Sequence, residues 1–230
     1  SVTNFAKKCT SAGADGITVH PRPDQRHIRA QDCFDLISML QVEFNIEGNP
    51  FTEGRKSHRK GVTDYPGFMN LVREIKPAQC TLVPDGNDQL TSDHGFDLTK
   101  DADRVAPIVE ELKSLGIRTS LFIDPDPKQI KLAAEIDTHR IELYTESFAR
   151  AFLDKKDLNI VFKAYRTAAD TAKDCGLGLN AGHDLNLYNL PTFCGINNLL
   201  EVSIGHHLTV DALEMGLEQA ILLYKKVLNS

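Results

Sequence analysis

Seven short apolar runs, each followed by a stretch with helical periodicity, constrain the fold of this chain more than any other feature. The runs lie in Gly13–Arg22 (strand around Ile17), Glu43–Glu47, Cys80–Asp85, Thr119–Asp124, Arg140–Thr145, Gly176–Asn180 and Leu200–His206. Between them, apolar residues recur every three or four positions over 2–12, 30–41, from Pro66, over 98–115, from Pro127, over 158–174 and from about 210. Strands alternating with helices demand parallel pairing through right-handed crossovers, leaving an open sheet or a closed barrel. An open dinucleotide-binding sheet carries G-x-G-x-x-G after its first strand, and no such run is present. Each strand here exits into polar residues, the pattern of a (β/α)8 TIM barrel, whose chemistry sits at the C-terminal strand ends. The expected fold is therefore a single TIM-barrel domain over residues 1–230 with extra helices. Strands two to eight are visible, and the first strand is expected upstream of Ser1.

Composition narrows the partners. The chain has 230 residues, 41% of them hydrophobic, enough for a sizeable core. Its net charge of −6 argues against a broad nucleic-acid footprint. Five scattered cysteines without a C-x-x-C pair indicate a reduced, cytoplasmic setting, and no apolar run reaches the length of a membrane span. Two long polar stretches interrupt the alternation. The first, 48–61, holds a basic cluster and is expected to be a solvated loop without a role. The second, 85–97, has glycines near both ends and is expected to act as a lid.

A closed barrel would gather His20, Glu47, Thr145, His183 and His206 around one mouth, because all lie at or just past strand ends. Singly, His20 is more readily a strand-end histidine bonding a loop carbonyl, and Glu47 as readily an ion-pair partner. Together, two histidines and a glutamate make an acid/base set, with the Glu47 carboxyl expected to be raised by the barrel wall. The same residues could hold a divalent metal, but Glu142 would have to join Glu47, and Asp124 is followed directly by Pro125. Gly205-His206-His207, before a helix, suits a phosphate. Arg22 offers a bidentate clamp for phosphate or carboxylate.

The segments GADGITVHPRPDQRHI (13–28), FNIE (44–47), TLVP (81–84), LTS (90–92), SLFID (120–124), IELYTE (141–146), GLNAGHDL (178–185) and VSIGH (202–206) resemble the pyridoxine 5'-phosphate synthase family in order and spacing. The resemblance implies a TIM barrel, assembled as a homo-octamer, that uses two phosphorylated small-molecule substrates and no metal or organic cofactor. The reaction implied is condensation of 3-amino-2-oxopropyl phosphate with 1-deoxy-D-xylulose 5-phosphate to pyridoxine 5'-phosphate. It further implies His20 and Glu47 as proton acceptors and His183 as proton donor. Arg22, His27, Thr91, Asp184, Gly205 and His206 fall on the family's substrate contacts. Asp184 stands where many members have glycine, and the 48–64 segment is longer than the family pattern.

Overall fold

A computed structural model describes residues 1–86, 89 and 91–229. Its sheet consists of β1 (Gly16–Val19), β2 (Glu43–Gly48), β3 (Gln79–Leu82), β4 (Arg118–Ile123), β5 (Arg140–Tyr144), β6 (Gly178–Gly182) and β7 (Leu199–Ser203). All pair in parallel and in sequence order. The surrounding helices are α1 (Val2–Ser11), α2 (Ala30–Met39), α3 (Phe68–Ile75), α4 (Leu98–Ser114), α5 (Pro127–Glu135), α6 (Glu146–Asp154), α7 (Leu158–Asp174), α8 (Leu190–Phe193), α9 (His206–Met215) and α10 (Leu217–Leu228).

Strand side chains alternate between two environments, as the period of two requires. Phe44 and Ile46 of β2, Cys80 and Leu82 of β3, and Leu121 and Ile123 of β4 are fully buried in the layer between sheet and helices. Leu36, Leu71, Val109, Leu112 and Ile130 meet them from the helices. The alternate positions build a polar interior. Arg118 Nε donates to Gln79 Oε1 (2.8 Å), Gln79 Nε2 to Glu201 Oε1 (3.2 Å), and Arg140 Nη1 to Glu201 Oε2 (3.0 Å). These bonds decide between open sheet and barrel. Gln79 is on β3 and Glu201 on β7, which in a flat sheet would lie roughly 19 Å apart at the usual strand spacing. A direct hydrogen bond requires that the sheet has curled round on itself.

The ends of the curl are held near each other by helices. Cys9 and Ala12, at the end of α1, pack with Ile221 of α10, with Ile17 and Leu208 against the cluster. Asp15 and Lys225 form an ion pair outside it. β1 and β7 are the terminal strands of the sheet.

Several details differ from the sequence expectation. The irregular stretch after β5 contains α6, and the C-terminal helix is two helices, broken at Gly216 with φ +88°. The loop after β2 is ordered by an antiparallel bridge between Arg55 and Tyr65, whose backbone groups exchange hydrogen bonds of 2.9 and 2.8 Å.

Candidate active site

The C-terminal end of the barrel brings together the three residues expected to exchange protons. His20 follows β1, Glu47 is the next-to-last residue of β2, and His183 follows β6. His20 Nδ1 stands 3.3 Å from Glu47 Oε1, and the Glu47 side chain is 12% exposed. Burial pushes the Glu47 carboxyl up. The hydrogen-bonding contact with His20 and the positive charges of His20, His183 and Arg22 outweigh that effect, leaving Glu47 below the usual carboxylate range. This corrects the expectation of a raised Glu47: the barrel wall does desolvate it, but the cations gathered by the same barrel win.

The raised carboxyl is Glu142, below Glu47 on β5. Burial, then the charges of Glu47 and Glu201, push it well above the ordinary glutamate value. It is 1% exposed, and its Oε2 has no hydrogen-bond partner among the described residues. Two carboxyls in one interior are thus pushed in opposite directions, Glu47 down by the cations beside it and Glu142 up by burial and neighbouring carboxylates. Sequence reasoning weighed Glu142 only as a metal ligand. The available signal was its parity with Arg140 and Tyr144, which places all three on one face of β5. Gly182 makes the room for Glu142: a Cβ there would sit 2.1 Å from Glu142 Oε1.

His183 is held by its backbone and its ring. Its φ is +79° and that of Asp184 is +56°, so the chain turns through two successive left-handed residues. That conformation favours glycine, and Asp184 adopts it at the position where the family pattern commonly has glycine. The Thr145 hydroxyl donates to the Gly182 carbonyl (2.7 Å) and to that of His183, while Asn189 Nδ2 donates to the Asp184 carbonyl (3.0 Å). The imidazole packs against Phe122 and Tyr144, with ring centroids 5.4 and 5.2 Å away.

Arg22 is buried at the edge of this group. Its Nη2 donates to Asp85 Oδ2 (2.5 Å) and its Nη1 to the Gln89 carbonyl (2.8 Å). Ser92 Oγ donates to the same Asp85 oxygen (2.8 Å), and Asn49 Nδ2 to the Asp85 carbonyl (2.8 Å). The start of the 85–97 segment is therefore tied to Arg22. At its far end Gly95 lies against β4, where a Cβ would come 2.4 Å from the Asp124 nitrogen. Leu90 of the LTS motif and residues 87 and 88 of the expected lid lie outside the described residues. His27, Thr91, Gly205 and His206 are solvent-exposed and take no part in the contacts around Glu47. Gly205 and His206 begin α9, after β7, with open space where a Gly205 Cβ would be. Among the described residues, no three His, Cys, Asp or Glu side chains stand together in a way that could hold a metal ion.

An acid/base group at the mouth of a parallel barrel is compatible with many chemistries, and comparison with known proteins narrows them. Among solved structures, the Amycolatopsis orientalis BexX/CysO complex aligns at 15% identity with a TM-score of 0.63, covering 100% of this chain and 84% of that one. Triosephosphate isomerase from Bartonella henselae aligns at 7% identity with a TM-score of 0.57, covering 100% and 93%. These likenesses concern the fold alone. A pyridoxine 5'-phosphate synthase of Xanthomonas campestris pv. campestris (strain B100) is 47% identical over 99% of this chain and 87% of that protein. Another, from Christiangramia forsetii, is 48% identical over 100% of this chain and 90% of that protein. The model of the family described as pyridoxal phosphate biosynthesis protein PdxJ matches residues 1–230. With its barrel, its polar mouth and nearly half its residues shared over full length, the chain belongs to the PdxJ family.

Proposed function

We propose that this chain carries out its family's ring closure with Glu47, His20 and His183 as its proton-transfer groups. The chain is a pyridoxine 5'-phosphate synthase. It joins 3-amino-2-oxopropyl phosphate to 1-deoxy-D-xylulose 5-phosphate, giving pyridoxine 5'-phosphate with release of inorganic phosphate and water. The amine of one substrate must lose protons as its nitrogen adds to the ketone carbon of the other. The oxygen expelled there must gain a proton to leave as water, and closing the ring requires further transfers at carbon. Such chemistry needs both an acceptor and a donor in place at neutral pH.

The observation that carries this reading is the convergence of His20 and Glu47 at 3.3 Å, under the charge of His183 and Arg22. Glu47, its carboxyl favoured as the anion, accepts the first proton, His20 beside it at 3.3 Å accepts in turn after giving up its own, and His183 delivers one to the departing oxygen. Its ring, in edge-on and tilted contact with Tyr144 and Phe122, keeps one orientation throughout. Arg22 binds phosphate through the N–H groups not engaged by Asp85 and Gln89. Gly205 and His206, at the α9 N-terminus, offer backbone N–H groups to the second phosphate. His27, Thr91 and Asp184 complete the substrate contacts, the latter two from the segments after β3 and β6. The described residues of the 85–97 segment, which Asp85 ties to Arg22, close over the mouth and exclude water, which protects imine intermediates from hydrolysis. The assembly is a homo-octamer in the cytoplasm; sedimentation of the full chain tests the first point. No helix among the described residues is long and apolar enough to cross a membrane.

The test is to mix the chain with both substrates, without added metal, and follow pyridoxine-ring absorbance together with phosphate release. Both signals are expected to rise in parallel. If neither rises while phosphate ligands still bind, this reading falls.

A further inference from the structure

The segment between β2 and α3 is the part of the mouth that the reaction chemistry leaves unexplained. It is not the free loop its polarity suggests. Arg55 and Tyr65 pair across it, Asp64 Oδ1 accepts from the Ser57 nitrogen (2.9 Å), and the Thr52 carbonyl accepts from the Phe68 nitrogen (3.0 Å). Its base walls the mouth, since Thr52 and Tyr65 line the same pocket as His20 and Arg22.

Gln25 fastens its outer part to the loop that carries Arg22. Gln25 is 2% exposed and has φ +52°. Its Nε2 donates to the Thr63 carbonyl (2.7 Å), and its own carbonyl accepts from Arg59 Nη1 (2.8 Å). Its Oε1 also caps α2 by accepting from the Ala30 nitrogen (3.0 Å). One side chain therefore fixes the hairpin relative to both the Arg22 loop and a barrel helix.

The tip so fixed is strongly cationic. Residues 55–60 contain Arg55, Lys56, Arg59 and Lys60 with no acid among them, in a chain of net charge −6. All four are exposed, and none forms an ion pair among the described residues. An acidic protein repels phosphate dianions at long range, and a fixed positive rim beside the mouth locally reverses that field.

We propose that the 52–66 hairpin is an electrostatic collector for the phosphorylated substrates, with Arg55, Lys56 and Lys60 as the collecting charges and Gln25 and Arg59 as its anchors. The inference rests on the synthase reading above. It assigns these residues to substrate capture and gives them no part in the chemical steps.

The test compares the full chain with a variant carrying Arg55→Gln, Lys56→Gln and Lys60→Gln. A Lys56→Arg, Lys60→Arg variant serves as a charge-conserving control. Turnover is measured with 1-deoxy-D-xylulose 5-phosphate varied, from about 0.02 to about 0.5 M salt, over which screening shortens from well above 10 Å to a few ångströms. The glutamine variant is expected to keep kcat and to lose kcat/KM by about threefold or more at low salt, converging with the parent chain at high salt. The arginine control is expected to match the parent chain throughout. An unchanged kcat/KM with the same salt dependence overturns the collector while leaving the synthase reading intact. A matching loss of kcat overturns it too, since that marks a structural effect on the mouth. A parent chain without turnover overturns the synthase reading and the collector with it.

Discussion

Two glutamates three strands apart in the sheet, Glu47 on β2 and Glu142 on β5, show at the residue scale how one interior treats the same side chain in two ways. The cations around Glu47 hold its carboxyl below the ordinary glutamate range, and burial pushes that of Glu142 well above it. Glu47→Gln keeps the shape but removes the proposed acceptor, so kcat is expected to fall about 10²-fold or more with the thermal midpoint little changed. His183→Ala is expected to lower kcat by a similar factor through loss of the proposed donor. Near-parental turnover of both variants would remove the assignment. Glu142→Gln is expected to act on stability in a pH-dependent way. A carboxyl raised in the native state binds more protons folded than unfolded, so its contribution to stability falls as pH rises above its ordinary value of 4.5. The glutamine variant cannot ionise. Its stability relative to the parent should therefore increase from pH 4 towards pH 8, as read by urea unfolding at each pH, and a constant difference would contradict the upward shift of Glu142. The opposite sign holds for Glu47, whose depressed pKa contributes stability above the usual carboxylate range that is lost on acidification.

At the scale of elements, the strands and most helices were legible because their apolar periodicity is strong, whereas the exceptions have identifiable causes. The helix α6 buries only Phe148 and Ala151, too few for a clear stripe, and the hydroxyl of its N-cap Thr145 bonds the Gly182 and His183 carbonyls instead of capping it. β6 runs two residues later than the apolar pattern suggests, ending at Gly182, a residue selected by the volume of Glu142 rather than by strand propensity. The 52–66 hairpin is held by Gln25, nearly 40 residues away from Thr63 in the chain, a partnership no local pattern announces. Gln25→Ala removes that bond and the α2 cap together. Limited trypsin digestion is expected to cut at Arg55, Lys56 or Lys60 several-fold faster in the variant, with the barrel core surviving. Equal cleavage rates would mean that the Arg55–Tyr65 bridge suffices alone.

At the scale of the whole molecule, the curled sheet is maintained by two separate devices. Inside, the Arg118–Gln79–Glu201–Arg140 network joins strands on opposite sides. Outside, the Cys9–Ala12–Ile221 cluster draws the first and last helices together. Ile221 is 5% exposed. Ile221→Ala is expected to destabilise the chain by about 2–4 kcal/mol in chemical denaturation, through lost burial and the cavity left behind. A single cooperative transition should persist if the seam and the rest of the barrel unfold together. A separate early transition would show that the helices at the seam come away from an otherwise stable sheet.

The sequence alone was sufficient for the alternation of strand and helix, and hence for parallel pairing and a mouth at the C-terminal strand ends, because those follow from local periodicity and connection length. It also placed His20, Glu47 and His183 at strand ends, as the structure has them, since strand-end position is a local property. What the tertiary structure decided was electrostatic and volumetric. Whether Glu47 is raised or lowered, whether Glu142 matters, and whether residues 55–60 are a loose loop or a fixed rim all depend on groups distant in the chain. Those groups meet only when the sheet curls, and through-space charge, desolvation and excluded volume carry no signature in any local stretch of residues.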